Sequence, residues 1–355
     1  MTAESIDSTG EPTTRGLIRA ALSFHHLGAL TGSNGIFEHA RHSSIRPEHG
    51  HCTDDNARLA ILVTRAWGVR GLPAMMLERL RLVSTSFVLE SVADDGLVRN
   101  RRHLSGRWLD EPELGDSWGR AVHALGAIAA SQGGAAVEAL ASFERAAIHR
   151  SRHLRSMAHA ALGAGAVLER QPGNPIALDL LSDTADLIWS APASADWPWP
   201  EEKLTYANAM IPEALIVAAS ALGRHEELID ALSMLRWLAQ VESIDGHLSP
   251  TPVGGRGRGE TGPGFDQQPI EVAAVASAAV RAAEHHADPV WDGLLRSAVG
   301  WFLGDNDSSH PMIDHRTGGG YDGLHVDGVN LNQGAESTIA MTETMVLATR
   351  SVRRQ

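Results

Sequence analysis

The chain has one cysteine, few aromatic residues and no long apolar run, and each scarcity removes a class of protein. A lone Cys52 in 355 residues excludes an internal disulfide, so nothing covalent holds the fold. No stretch approaches the ~18 consecutive apolar residues that a membrane helix needs. The N-terminal segment is polar and acidic and lacks the apolar core of a secretory signal. A cytoplasmic protein without a membrane span is therefore expected, with residues 1–13 as a disordered tail. Cationic residues are outnumbered, 30 against 43, and the net charge of −13 leaves no extended surface to neutralise phosphates. A nucleic-acid partner is not expected. The short basic clusters Arg99–His103 and Arg353-Arg354 read as solvated surface.

With 43% hydrophobic but only 5% aromatic residues, the core must be Ala, Leu and Val, which suits closely packed helices. Periodicity of 3.6 residues marks about twelve helical segments. Six are amphipathic, at 14–30, 74–92, 135–149, 175–190, 225–241 and 288–304. Six more are poor in charge and rich in small residues, at 54–68, 117–131, 152–169, 207–222, 269–284 and 335–350. The two kinds alternate. A helix with one wet face covers; one apolar nearly all round is buried. The pattern predicts an all-α fold over residues 14–355, a single (α/α)6 toroid with an outer and an inner ring. An open helical solenoid could use the same alternation, but the long loops are unequal and no repeat consensus appears.

Short breakers such as Gln132-Gly-Gly134 and Leu222-Gly-Arg224 close the hairpins, whereas connections into the inner helices are mostly long. That asymmetry predicts one functional face. Short hairpins are expected there at Asp94–Val98, Asp245–Leu248 and Gly318–Asp322, and the Gly254–Gly259 run is expected to be a mobile lid or disordered.

The acids at the entrances to the inner helices are the candidate chemistry. Asp54, Asp55, Asn56 and Arg58 open the first; one acid suffices for capping, so a ligand role is open for the rest. Asp116 is either a cap or a ligand contact, and Trp118 is either core or a platform for a sugar face. Trp197 and Trp199, stiffened by two prolines, lead to Glu201, then Tyr206 and Asn208. Pro212 is expected to kink its helix, leaving Glu213 buried and structural. Asp266, Gln267 and Gln268 offer an acid and two amides before Pro269. Tyr321, Asp322, Asn332, Gln333 and Glu336 form the last group, and so many amides are costly to bury without partners. Paired histidines such as His25-His26 and His285-His286 point in different directions along a helix, and no zinc motif accompanies them. No metal or cofactor is expected. Cys52 reads as a buried small residue, although a nucleophilic thiol beside His49 and His51 is conceivable.

These junctions resemble a family of bacterial (α/α)6 proteins described as glycosyltransferases or glycosyltransferase-associated domains. The resemblance rests on Cys52–Arg58, Trp197–Leu215, Asp266–Pro269, Gly319–Gly323 and Asn330–Ser337, and covers the chain from about Thr14 onward. Where the family pattern places an aspartate before the asparagine matched by Asn208, this chain has Ala207. The resemblance implies the toroid and a carbohydrate context, and more broadly similarity to (α/α)6 glycoside hydrolases. No sugar-nucleotide domain is evident, which argues against a transferase.

The expectation is a glycoside hydrolase acting on a bacterial oligosaccharide or glycoconjugate, with Glu201 as acid and Asp55 as base, and Asp266 and Glu336 as alternates. Similarity to such hydrolases implies inversion. Rival readings are a phosphorylase using Arg58 and Arg120, an epimerase using His49, His51 or His123, and a non-catalytic sugar-binding partner of a glycosyltransferase. Sugar, linkage and subunit association are left open.

Overall fold

The structure is a computed structural model describing residues 13–191, 194 and 196–352. Of the expected tail only Thr13 falls among them; its hydroxyl accepts from Gly16 N at 3.0 Å and caps the first helix. In chain order the helices are α1 (Thr14–Ala21), α2 (His25–Leu30), α3 (Thr53–Ala66), α4 (Ala74–Ser91), α5 (Asp116–Ala130) and α6 (Ala136–Ala146). There follow α7 (Leu154–Arg170), α8 (Pro175–Trp189), α9 (Met210–Leu222), α10 (His225–Val241), α11 (Pro269–His285), α12 (Pro289–Leu303) and α13 (Ala335–Val352). Strand is confined to short antiparallel ribbons in the loops.

The fold is the (α/α)6 toroid. Helices α3, α5, α7, α9, α11 and α13 touch in sequence, and α13 returns to α3, closing an inner ring. Burial follows the alternation in character. Every residue of α9 from Met210 to Ala219 is buried, whereas α10 buries only Ala231, Leu232, Met234, Leu235 and Leu238. Helices α5 and α7 pack backbone to backbone. A Cβ on Gly119 would meet the Ser156 backbone, and one on Gly126 would meet that of Gly163, so only glycine lets these helices come so near.

Three local expectations need correction. The first outer segment is two helices, because Phe24 takes a left-handed conformation with φ 56° between α1 and α2. Pro212 does not kink α9; it sits in the first turn, where its missing N–H is no loss. Nor is the glycine run a lid. Its Arg256–Gly257 pairs antiparallel with Lys203–Leu204, and Gly255 lies against the Leu204 carbonyl, closer than a side chain would permit. The expected hairpins at 94–98 and 245–248 are present as an isolated bridge, Val92 to Val98, and a ribbon, Ser243–Ile244 with His247–Leu248. Near 318–322 Gly320 bridges Ile313, and a further ribbon joins Gly323–His325 to Gly328–Asn330.

Candidate active site

The N-terminal ends of the inner helices face the long loops, and arginines cross-link the acids gathered there. Arg58 of α3 holds two: Nη1 is 2.6 Å from Asp55 Oδ1, and Nη2 is 2.6 Å from Glu336 Oε2 on α13. Arg120 of α5 approaches Asp54, Nε to Oδ1 3.1 Å, though the pair is not aligned as a hydrogen bond. Arg155 of α7 donates to Glu201 Oε1 at 2.6 Å and to Asn208 Oδ1 at 3.2 Å, and also to the Tyr206 carbonyl. Its guanidinium lies 4.7 Å from the Tyr206 ring centroid. Tyr206, exposed, donates its hydroxyl to Asp116 Oδ2 at 2.5 Å, while Ser156 Oγ donates to Asp116 Oδ1 at 2.9 Å. The inner helices thus meet side chain to side chain around one mouth.

Burial sets the protonation of these groups. Asp55 is 2% exposed and desolvation pushes it up to about 6, against the opposing pull of Arg58. Its other oxygen accepts from the Cys52 thiol at 3.2 Å, so both oxygens are occupied. Cys52 is itself pushed well up by burial and then by Asp55, which makes it an inert thiol rather than a nucleophile. Asp266 is only half-buried, yet burial and then the charge of Asp322 raise its pKa, with His325 opposing. Its Oδ1 is buried without a hydrogen-bond partner. Asp322 is raised by burial and also feels Glu336, so Asp266, Asp322 and Glu336 form a coupled acidic row. Glu201 Oε2 and Asp54 Oδ1 are further buried carboxylate oxygens with no hydrogen-bond partner.

Several expected contacts are taken up by the fold instead. Trp118 and Trp199 are fully buried, and Trp118 Nε1 donates to the Ala146 carbonyl, so neither ring offers a face to a ligand. Trp197 packs edge-on against Trp237 and donates to the Glu201 carbonyl at 2.8 Å; it positions the acid's loop rather than walling a pocket. Asn56 bonds Ile36 N and the Cys52 carbonyl. Gln267 bonds Asp307 and Trp301, and Gln333 bonds Asp314 and Thr317. Asn332 Oδ1 accepts from His42 N. Asn208 is buried between Arg155 and the Glu242 carboxyl. Backbone groups and neighbouring side chains satisfy these amides, which removes the need for a polyol to do so. Tyr321 is partly exposed, and Gln268 lines a small pocket of about 250 Å³ with Tyr206, Thr251 and Glu271.

Sequence reasoning missed Arg155, Glu242 and Glu271. Glu271 is buried, accepts from Ala207 N at 2.6 Å and is pushed up to about 8 by burial and by Glu242. Among the described residues one group has metal-ligand spacing, Glu38, Cys52 and Asp55, with ligand atoms within 4.8 Å of one another. Arg101 and Arg58 already bind its two carboxylates.

No family profile matches the chain, and no curated protein matches it in sequence. Solved structures do. The chain is similar to a sugar epimerase from a ruminal bacterium, with TM-score 0.70 and 14% identity, covering 93% of this chain and 97% of that one. It is similar to cellobiose 2-epimerase from Bacillus thermoamylovorans B4167, with TM-score 0.73 and 11% identity over 95% and 98% of the two chains. It is also similar to an inactive variant of an α-1,6-mannanase of Salegentibacter sp. HEL1_6 in complex with α-1,6-mannotetrose, with TM-score 0.66 and 9% identity over 95% and 99%. At these identities the likeness is one of fold: a toroid that sugar epimerases and glycoside hydrolases share. None of these comparisons points to a glycosyltransferase. No described helix is long and apolar enough to cross a membrane.

Proposed function

We propose that the chain is a glycoside hydrolase whose acid is Asp266 and whose ionised partner is Glu336. The observation that carries this reading is Asp266. It is a carboxyl of raised pKa, half open to solvent, with one oxygen lacking any partner, coupled through Asp322 to a carboxylate gripped by Arg58. Cleavage of a glycoside needs a protonated carboxyl to assist the leaving oxygen and a second carboxylate for water or the anomeric carbon. Asp55 suits the second role poorly, being buried with both oxygens paired; it positions Arg58. Glu201, Tyr206, Asp116 and Asp54 surround the mouth as contacts for sugar hydroxyls. Inactivation of the similar mannanase involves two adjacent aspartates, and Asp54-Asp55 is an adjacent pair at this mouth, which supports a carbohydrate there.

The test is release of reducing ends from a panel of oligosaccharides, α-1,6-mannotetrose among them. Wild type should turn over at least one member, and Asp266→Asn and Glu336→Gln should each lower the rate by about 10²–10⁴. Loss only in Asp54→Asn would move the acid to α3. A second reading, epimerisation, is favoured by His123 and His159, whose rings lie 6.0 Å apart inside the ring with unpartnered nitrogens. Interconversion of a reducing sugar without cleavage, lost in His159→Leu, would replace the first reading with this one.

A further inference from the structure

A large cavity lies away from this mouth. It measures about 780 Å³, opens where the inner helices other than α9 end, and is lined by residues of all six inner helices. That volume is in the range of small-molecule sites. Its walls are partly apolar, with Ile61, Ile128, Leu162 and Leu347, while His123 and Thr85 add polar atoms. His123 is 8% exposed and Thr85 6%, and His123 Nδ1 and Thr85 Oγ1 are both buried without a hydrogen-bond partner. Both residues are in the cavity lining, and a guest that supplies hydroxyls would satisfy these atoms once small side-chain rotations turn them toward it.

Charge narrows the guest. In a chain of net charge −13, five arginines line this cavity against four glutamates. One of the four, Glu213, is buried and raised in pKa by that burial, so it opposes an anion less than its number suggests. The C-terminal ends of helices carry partial negative charge that would repel an anion. Here Arg170 Nε donates to the Ala130 carbonyl and Arg350 donates to the Arg65 carbonyl, covering two such ends. Arg170 is exposed and forms no ion pair among the described residues.

We propose that this cavity is a second ligand site, taking a small hydroxylated oxyanion, either a sugar acid or a sugar phosphate. The oxyanion would meet the arginine rim near Arg170, and hydroxyls would reach His123 and Thr85. The site is separate from the hydrolysis assigned to Asp266 and Glu336, and it shares only His123 with the epimerase reading.

Calorimetric titration of the full chain with glucose 6-phosphate, glucuronate and glucose tests it. At least one anion should bind saturably and glucose should not; whichever anion binds tighter tells phosphate from carboxylate. Arg170→Glu, an exposed change, should weaken binding by about tenfold or more. Ala127→Phe should abolish it by filling the cavity, with melting temperature in the absence of ligand checking each variant. No binding of either anion would overturn the proposal. So would equal binding of glucose, binding that survives Arg170→Glu, or binding lost in Asp266→Asn, which would place the ligand at the opposite mouth.

Discussion

Arg58 and Glu336 close the ring: their 2.6 Å ion pair joins the first inner helix to the last, 278 residues further on (336 − 58). The same guanidinium neutralises Asp55, whose side chain is 3% exposed, whereas that of Glu336 is 41% exposed. The two carboxylates therefore carry unequal energetic weight. Arg58→Gln leaves a buried acid without its cation and should cost about 3–5 kcal/mol in urea unfolding. Glu336→Gln removes a partly exposed partner and should cost less than about 1 kcal/mol. Adding Asp55→Asn to Arg58→Gln should recover part of the loss, because it removes the stranded charge. Equal destabilisation by both single variants would contradict this division.

Glu271 makes stability depend on pH in an unusual direction. The folded chain holds its proton up to about 8, whereas an unfolded glutamate releases it near ~4.3. Between these values the native state binds more protons than the unfolded state, so stability falls as pH rises and is fully present only below the unfolded value. From about pH 6 to about pH 8 the loss should be ~2 kcal/mol, shared with Glu242 as a coupled pair. Glu271→Gln should flatten the curve across this window. A wild-type stability that climbs there would refute the assignment.

Glycines on inner and outer helices should respond oppositely to a methyl group. Gly126→Ala drives a Cβ into the Gly163 backbone, which cannot move without separating α5 from α7. The expected cost is about 2–3 kcal/mol despite the gain in helix propensity. Gly293→Ala on α12 meets nothing nearer than the tip of Arg296 and should stabilise by roughly 0.5–1 kcal/mol. Thermal melts of the two variants decide it.

The ring was legible because alternation of Ala-rich and amphipathic segments is itself the statement of inner and outer position. The break at Phe24 was not, since no glycine or proline marks it. At the mouth, acids at helix entrances were readable, but their partners were not. Arg155 meets Glu201 from 46 positions away, and Arg120, four residues along the helix from Asp116, turns to Asp54 instead. A lone arginine in the first turn of a helix otherwise rich in small residues was the available signal for Arg155. Trp118 and Trp199 misled because a tryptophan beside an acidic loop reads alike whether it faces core or ligand.

Cys52 should behave as a reporter of global unfolding. It is 2% exposed, its thiol donates to Asp55 at 3.2 Å, and burial together with the neighbouring acids disfavours the reactive thiolate. A disulfide reagent should label it only as fast as the chain opens, with the rate rising in denaturant alongside loss of helical circular dichroism. Cys52→Ser keeps a donor to Asp55 and should change stability by less than about 1 kcal/mol, while Cys52→Val removes the donor and should cost about 1–2 kcal/mol. Rapid, complete labelling in native buffer would mean that the loop ahead of α3 opens on its own. In that case Asp55 would be accessible to substrate, and its exclusion from the role of second carboxylate at this mouth would fail.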